Sequence, residues 1–174
     1  MGEPVDLPLE NLKNKVLESY GAWYTVSPPE EGACKWLFAA AEYHRQSEKY
    51  VLVKKAKLWG AENNDYAYFF AVAQADADMV RDCCDYAISD ALTKIRPHSE
   101  HMSSDITAIV MANSFTLKAK RELEKRSFHK NFLLTLHGWC DLRAVALELD
   151  TGKTLANRKG KGAAQLLAQI QMNL

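Results

Sequence analysis

Between Asp76 and Ile95 the residues Ala77, Val80, Cys84, Ala87, Ile88, Ala91, Leu92 and Ile95 recur at three- and four-residue spacing, the period of a helix that buries one face. Asp76, Asp78 and Asp82 lie where the helix dipole is positive, Lys94 and Arg96 where it is negative, and Pro97 cannot continue the backbone ladder. Both ends are therefore marked. Beyond the Pro97-His98 break the run Ile106-Thr107-Ala108-Ile109-Val110-Met111-Ala112 is apolar on both alternating faces. It is expected to be a strand in the interior of a sheet, covered on two sides.

The other elements follow by the same patterning. Leu12, Val16, Leu17 and Tyr20 keep helical spacing up to Gly21, and the turn formers Ser27 to Gly32 then break the chain. Trp36 to Tyr43, Tyr50 to Trp59 and Tyr66 to Ala73 read as three strands of an antiparallel meander, with a tight turn at Asn63-Asn64. Ser114 or Thr116 is placed to cap a helix from Leu117 to Lys125, with Ala119 and Leu123 inward. Phe132 to Leu136 and Leu142 to Leu149 read as strands, and Asp150-Thr151-Gly152 closes a hairpin onto Thr154-Leu155-Ala156. A last helix starts near Lys161 and turns Ala163, Leu166, Leu167 and Ile170 inward. The order α-βββ-α-β-α-βββ-α argues for one α+β domain over residues 1–174, a mixed, mainly antiparallel sheet covered by helices, with Met1 to Leu7 as a lead-in.

Composition sharpens this only in places. A chain of 174 residues with 48% hydrophobic and 25% charged residues suits one domain with a sizeable core. Basic and acidic residues balance at 22 each, so no global field draws the protein to an anionic membrane or nucleic acid. The balance is uneven along the chain: 11 basic and 5 acidic residues fall between Asn113 and Lys161, a local excess of +6. Cys34, Cys83, Cys84 and Cys140 lack the paired spacing of a zinc ribbon or redox motif. With no apolar run near 18 residues and no signal peptide, a reduced cytoplasmic location and no membrane partner are expected.

Two clusters carry candidate chemistry. His98, Glu100 and His101, joined by His137 from a distant loop, have the donor types of an open site for a divalent metal such as zinc or iron. The competing reading is that these histidines hydrogen-bond loop backbone at the entrance to the buried strand. Asn157, Arg158, Lys159 and Lys161 surround Gly160 just before the last helix, and offer cationic side chains and backbone N–H groups to a phosphate or carboxylate. This is not a Walker loop, because the Gly-x-x-x-x-Gly-Lys-Ser/Thr spacing is missing. Lys54, Lys55 and Lys57 read as edge protection on a strand. No Glu-x-Lys falls on an expected strand, so a nuclease of the restriction-enzyme type lacks its motif.

The block Glu48 to Leu58, the segment Pro97 to Ser104 and the pair His137-Gly138-Trp139 with Asn157 to Lys161 resemble a prokaryotic family of small proteins of unknown function. The resemblance spans Leu12 to Ala168 and implies one intact domain, with no catalytic residues to carry over. The function expected is a non-enzymatic binding or interaction module that recognises an anionic small molecule or polyanion through the basic C-terminal half, and that self-associates. The alternative is a divergent metal- or phosphate-handling enzyme using the His98 to His101 loop.

Overall fold

The computed structural model describes residues 7–51 and 56–172, with side chains described at 8–46 and 61–172. The expected lead-in before Leu7 and the basic block at Lys54 and Lys55, with the side chain of Lys57, lie outside the described residues. The chain runs α1 (Leu7–Gly21), β1 (Thr25–Ser27), β2 (Leu37–Val51), β3 (Ala56–Ala75), α2 (Ala77–Lys94), β4 (His101–Phe115), α3 (Leu117–Lys125), β5 (His129–Asn131), β6 (Trp139–Glu148), β7 (Lys153–Ala156) and α4 (Lys161–Met172). One seven-stranded sheet has the order β1-β2-β3-β4-β6-β5, and β7 also pairs with β6.

The helix at Asp76 forms as its pattern requires. Asp76 is the N-cap, its Oδ1 accepting from the Met79 N–H at 2.9 Å, and Met79, Val80, Cys83, Cys84, Ala87 and Ala91 are buried along one face. Cys83 is as buried as Cys84, because small residues let α2 settle deeply onto the sheet. Burial pushes the Cys84 thiol up to about 12 and that of Cys140 to about 11, which makes them packing groups and not nucleophiles. In α3 it is Thr116 that caps, accepting from the Ala119 N–H at 3.1 Å, and Ala119 and Leu123 are the buried residues.

The two links β3-α2-β4 and β4-α3-β6 are crossovers between parallel strands. Both carry their helix to the same face, as a single crossover hand along an advancing sheet requires. Ile106, Ala108, Val110 and Ala112 of β4 pack toward α2 and α3. Ile109 and Met111 pack toward α1 and α4 on the opposite face. The expectation of an interior strand covered on both sides is met at every position from Ile106 to Ala112, all buried.

The sheet is mixed, but it is not mainly antiparallel. Its middle, β3-β4-β6, is parallel, and antiparallel pairing is confined to the flanks. Helices and strands follow the expected rhythm, yet different segments fill the strand positions. The three-strand meander is a short edge strand, β1, followed by two long strands, β2 and β3. Asn63 and Asn64 do not turn but pair with Arg45 and His44 inside that ladder. Their amides have partners there: Asn63 Oδ1 accepts from Ser103 at 2.8 Å, and Asn64 Nδ2 donates to Glu62 at 2.8 Å. The expected strand at Phe132 to Leu136 is a turn, with Leu133, Leu134 and Thr135 at φ of 47°, 51° and 74°. In α4 the inward residues are Ala164, Leu167 and Ile170, while Leu166 is exposed. No helix among the described residues is long and apolar enough to cross a membrane.

Candidate functional site

The basic segment after β7 is held down by one amide. Asn157 is 2% exposed, and its side chain bonds only to backbone. Oδ1 accepts from the N–H groups of Ala144 (3.1 Å) and Gly160 (2.8 Å), and Nδ2 donates to the carbonyls of Arg126 (2.8 Å) and Leu142 (3.0 Å). Both donors and the acceptor oxygen are thereby used. Asn157 lines the cleft described next, and its amide, committed to backbone, is a clasp tying the turn to β6 and to the end of α3. Gly160 belongs to the same joint: a Cβ there would lie 2.7 Å from the Ala144 carbonyl oxygen. The glycine permits close approach to the sheet, not to an anion.

This clasp opens a cleft of about 280 Å³ between the turn and the link from α3 to β5. Lys125, Arg126, His129, Asp141, Arg158 and Lys159 are among its lining residues. Arg158 and Lys159 both line this cleft; Lys161, exposed at the start of α4, is not among the lining residues. Asp141 organises the floor. Its Oδ1 faces His129 Nδ1 at 2.8 Å and its Oδ2 accepts from Lys159 Nζ at 3.1 Å. Burial alone would raise its carboxyl, but hydrogen bonds from His129 and Lys159 and their charges hold it below the ordinary value. Arg126 pairs with Asp85 and, at 3.5 Å, with Glu122. Its Nε is buried without a partner, the one such side-chain atom among the described residues. Lys125 belongs to the basic face that the sequence offers an anion together with Arg158 and Lys159, whereas Arg126, His129 and Asp141 carry no local motif that marks them.

The histidine cluster is assembled differently from a ligand set. His98 and His101 stand with ring centroids 6.3 Å apart. His98 Nδ1 accepts from the Glu100 N–H at 3.2 Å, which leaves Nε2 to donate to Glu62 at 2.8 Å. His101 Nδ1 donates to the His137 carbonyl, not to its ring, at 2.6 Å, and Nε2 accepts from Ser104 at 2.8 Å. All four ring nitrogens of this pair are occupied within the protein. Among the described residues no three His, Cys, Asp or Glu groups are placed to hold a metal ion.

A third polar group was not foreseen. Asp65, Asp105 and Asp141 stand at one register across β3, β4 and β6. Arg143 reaches back along β6 to bond Asp105 at 2.5 Å and Asp65 at 3.4 Å, and Tyr24 donates to Asp65 at 2.9 Å. Burial raises both the Asp65 and Asp105 carboxyls in spite of Arg143. The group is internally paired, so it reads as a joint between sheet and α1 end.

No curated protein and no solved structure matches the chain. The resemblance drawn from the blocks at Glu48, Pro97 and Asn157 is borne out at family level. Residues 9–169 match the family described as Domain of unknown function (DUF8052), and the chain belongs to that family.

Proposed function

We propose that the protein is a non-enzymatic binding module that takes an anionic small molecule in the cleft between Lys125-Arg126 and Arg158-Lys159. The observation that carries this reading is the gathering of Lys125, Arg126, Arg158 and Lys159 around one cleft. Lys125, Arg126, Arg158 and Lys159 outnumber Glu124 and Asp141 among the lining charges. A volume of about 280 Å³ lies at the small end of ligand sites, so a compact phosphate or carboxylate fits better than a polyanion.

Titration calorimetry with pyrophosphate at low salt tests the reading. Saturable binding is expected, weakened about tenfold or more by Arg158→Ala, the loss of one charge-assisted hydrogen bond. The unfolding midpoint should stay unchanged, because Arg158 is exposed. No saturable heat with pyrophosphate, inorganic phosphate or a dicarboxylate would remove the proposal.

A further inference from the structure

Beyond the cleft, β5 continues into a hairpin tip. Asn131 pairs with Trp139, and the seven residues Phe132 to Gly138 span between them. Leu133, Leu134 and Leu136 in this turn are 61%, 91% and 72% exposed. Isolated exposed leucines are ordinary, but three on one tight turn are not. Leu133, Leu134 and Thr135 all take the left-handed conformation, which L-residues with a Cβ adopt only against a steric cost.

The turn is held in this shape from its base. The Phe132 N–H donates to the Gly138 carbonyl at 2.9 Å, and the His137 N–H to the Phe132 carbonyl at 3.1 Å. Gly138, at φ 77°, sits where a Cβ would lie 2.3 Å from the Met102 carbonyl oxygen, and His101 ties the His137 carbonyl from below. Leucines presented outward on a braced, strained turn are poised for an apolar surrounding that the described residues do not provide.

The layering around the tip says which surrounding. Aliphatic side chains lead. Trp139, 36% exposed, and Phe132 stand at the base. Cations lie behind them: Lys130 Nζ is 5.7 Å from the Phe132 ring centroid, and the basic cleft begins at His129, three strand residues or about 10 Å away. Aliphatic, aromatic, cationic is the depth order of the hydrocarbon, interface and headgroup layers of an anionic bilayer. We infer that the Phe132 to Gly138 hairpin tip inserts into the surface of an anionic membrane, with the cleft cations against its headgroups. The balanced total charge argued against a membrane; the local order of residues argues for one. The inference rests on the cleft reading only for part of its charge.

Co-sedimentation of the full chain with vesicles tests it. The protein should pellet with phosphatidylglycerol–phosphatidylcholine vesicles, weakly with phosphatidylcholine alone, and less as salt is raised. Leu134→Ser with Leu136→Ser should lower partitioning by about tenfold per leucine, with the unfolding midpoint and the pyrophosphate titration unchanged. Loss of pyrophosphate binding alone would remove the cleft reading and leave this one standing. Failure to pellet with either vesicle, equal pelleting of the double variant, or equal pelleting with neutral vesicles would overturn it. So would a dimer that the double variant dissociates, which would assign the leucines to a second copy.

Discussion

Replacing Asn157 by alanine separates a clasp from a ligand-binding residue. The substitution removes four hydrogen bonds at once, to Ala144 N, Gly160 N, Arg126 O and Leu142 O, three of them buried. At a net contribution of about 0.5–1.5 kcal/mol each, their loss amounts to about 2–6 kcal/mol. Global stabilities are about 5–15 kcal/mol, so the variant should lose a large part of its stability. Asn157→Asp should cost a similar amount, because a carboxylate cannot donate to the Arg126 and Leu142 carbonyls and sets charge against them. The assay is urea unfolding followed by far-ultraviolet circular dichroism, with the slope compared to confirm that only the midpoint moves. An Asn157→Ala midpoint within error of the parent, combined with weakened anion binding, would refute the reasoning and restore Asn157 as a ligand contact.

Ile109→Ala, at a fully buried position of β4, should cost about 2–5 kcal/mol by the same assay. Lys120→Ala leaves Glu148, 3% exposed, without the ammonium that contacts it at 2.8 Å. Thr151 and the Phe115 N–H still reach that carboxylate, so a loss of about 3 kcal/mol is expected, the low end for a broken buried pair. The pH dependence has two limbs. Burial raises Glu62, Asp141 and Glu148, but their hydrogen-bond and charge partners win and hold all three low. Their contribution is complete above the ordinary carboxylate range near pH 4 and is lost as pH falls through the lowered values. Asp65 and Asp105 are raised, so their contribution declines as pH rises from about 4 through the folded values. Urea midpoints should therefore fall steeply below pH 4, and Asp65→Asn should flatten the decline above it; a midpoint independent of pH across both limbs would contradict the assignment.

The parts of the fold legible in the sequence are those where one physical demand dominates. The α2 stripe, its Asp76 cap and the Pro97 stop all point one way, and the Ile106 to Ala112 run has no polar position to suggest an exposed face. The reading failed where side-chain partners far along the chain reverse a local preference. Asn63 and Asn64 favour a turn in isolation, but Ser103, His44 and Glu62 supply partners that keep them in a strand. Phe132 to Leu136 has strand composition, yet the loop braced by Gly138 and His101 holds it as a turn. The site was half visible for the same reason. Arg158 and Lys159 stand out in a local motif and Lys125 in the charged face of α3, whereas Arg126, His129 and Asp141 join them only through the packing of β5 and the Asn157 clasp on β6. The clasp role of Asn157 is not legible, because a buried amide and a ligand-binding amide look alike in a string of letters.

The parallel centre of the sheet also dictates an order of assembly. β2 and β3 meet across a short connection, with Val51 opposite Ala56, so that ribbon closes cheaply and early. β4 has no such neighbour. Asn63 and Ser103 pair across 40 residues, and Asp105 reaches Arg143 across 38. Each closure spends chain entropy before any parallel contact repays it, and each must carry a whole helix over the sheet. Folding should thus advance from the β2-β3 side toward β6. The segment bearing the Asn157 clasp, the cleft and the leucine turn then arrives last, on a platform already built.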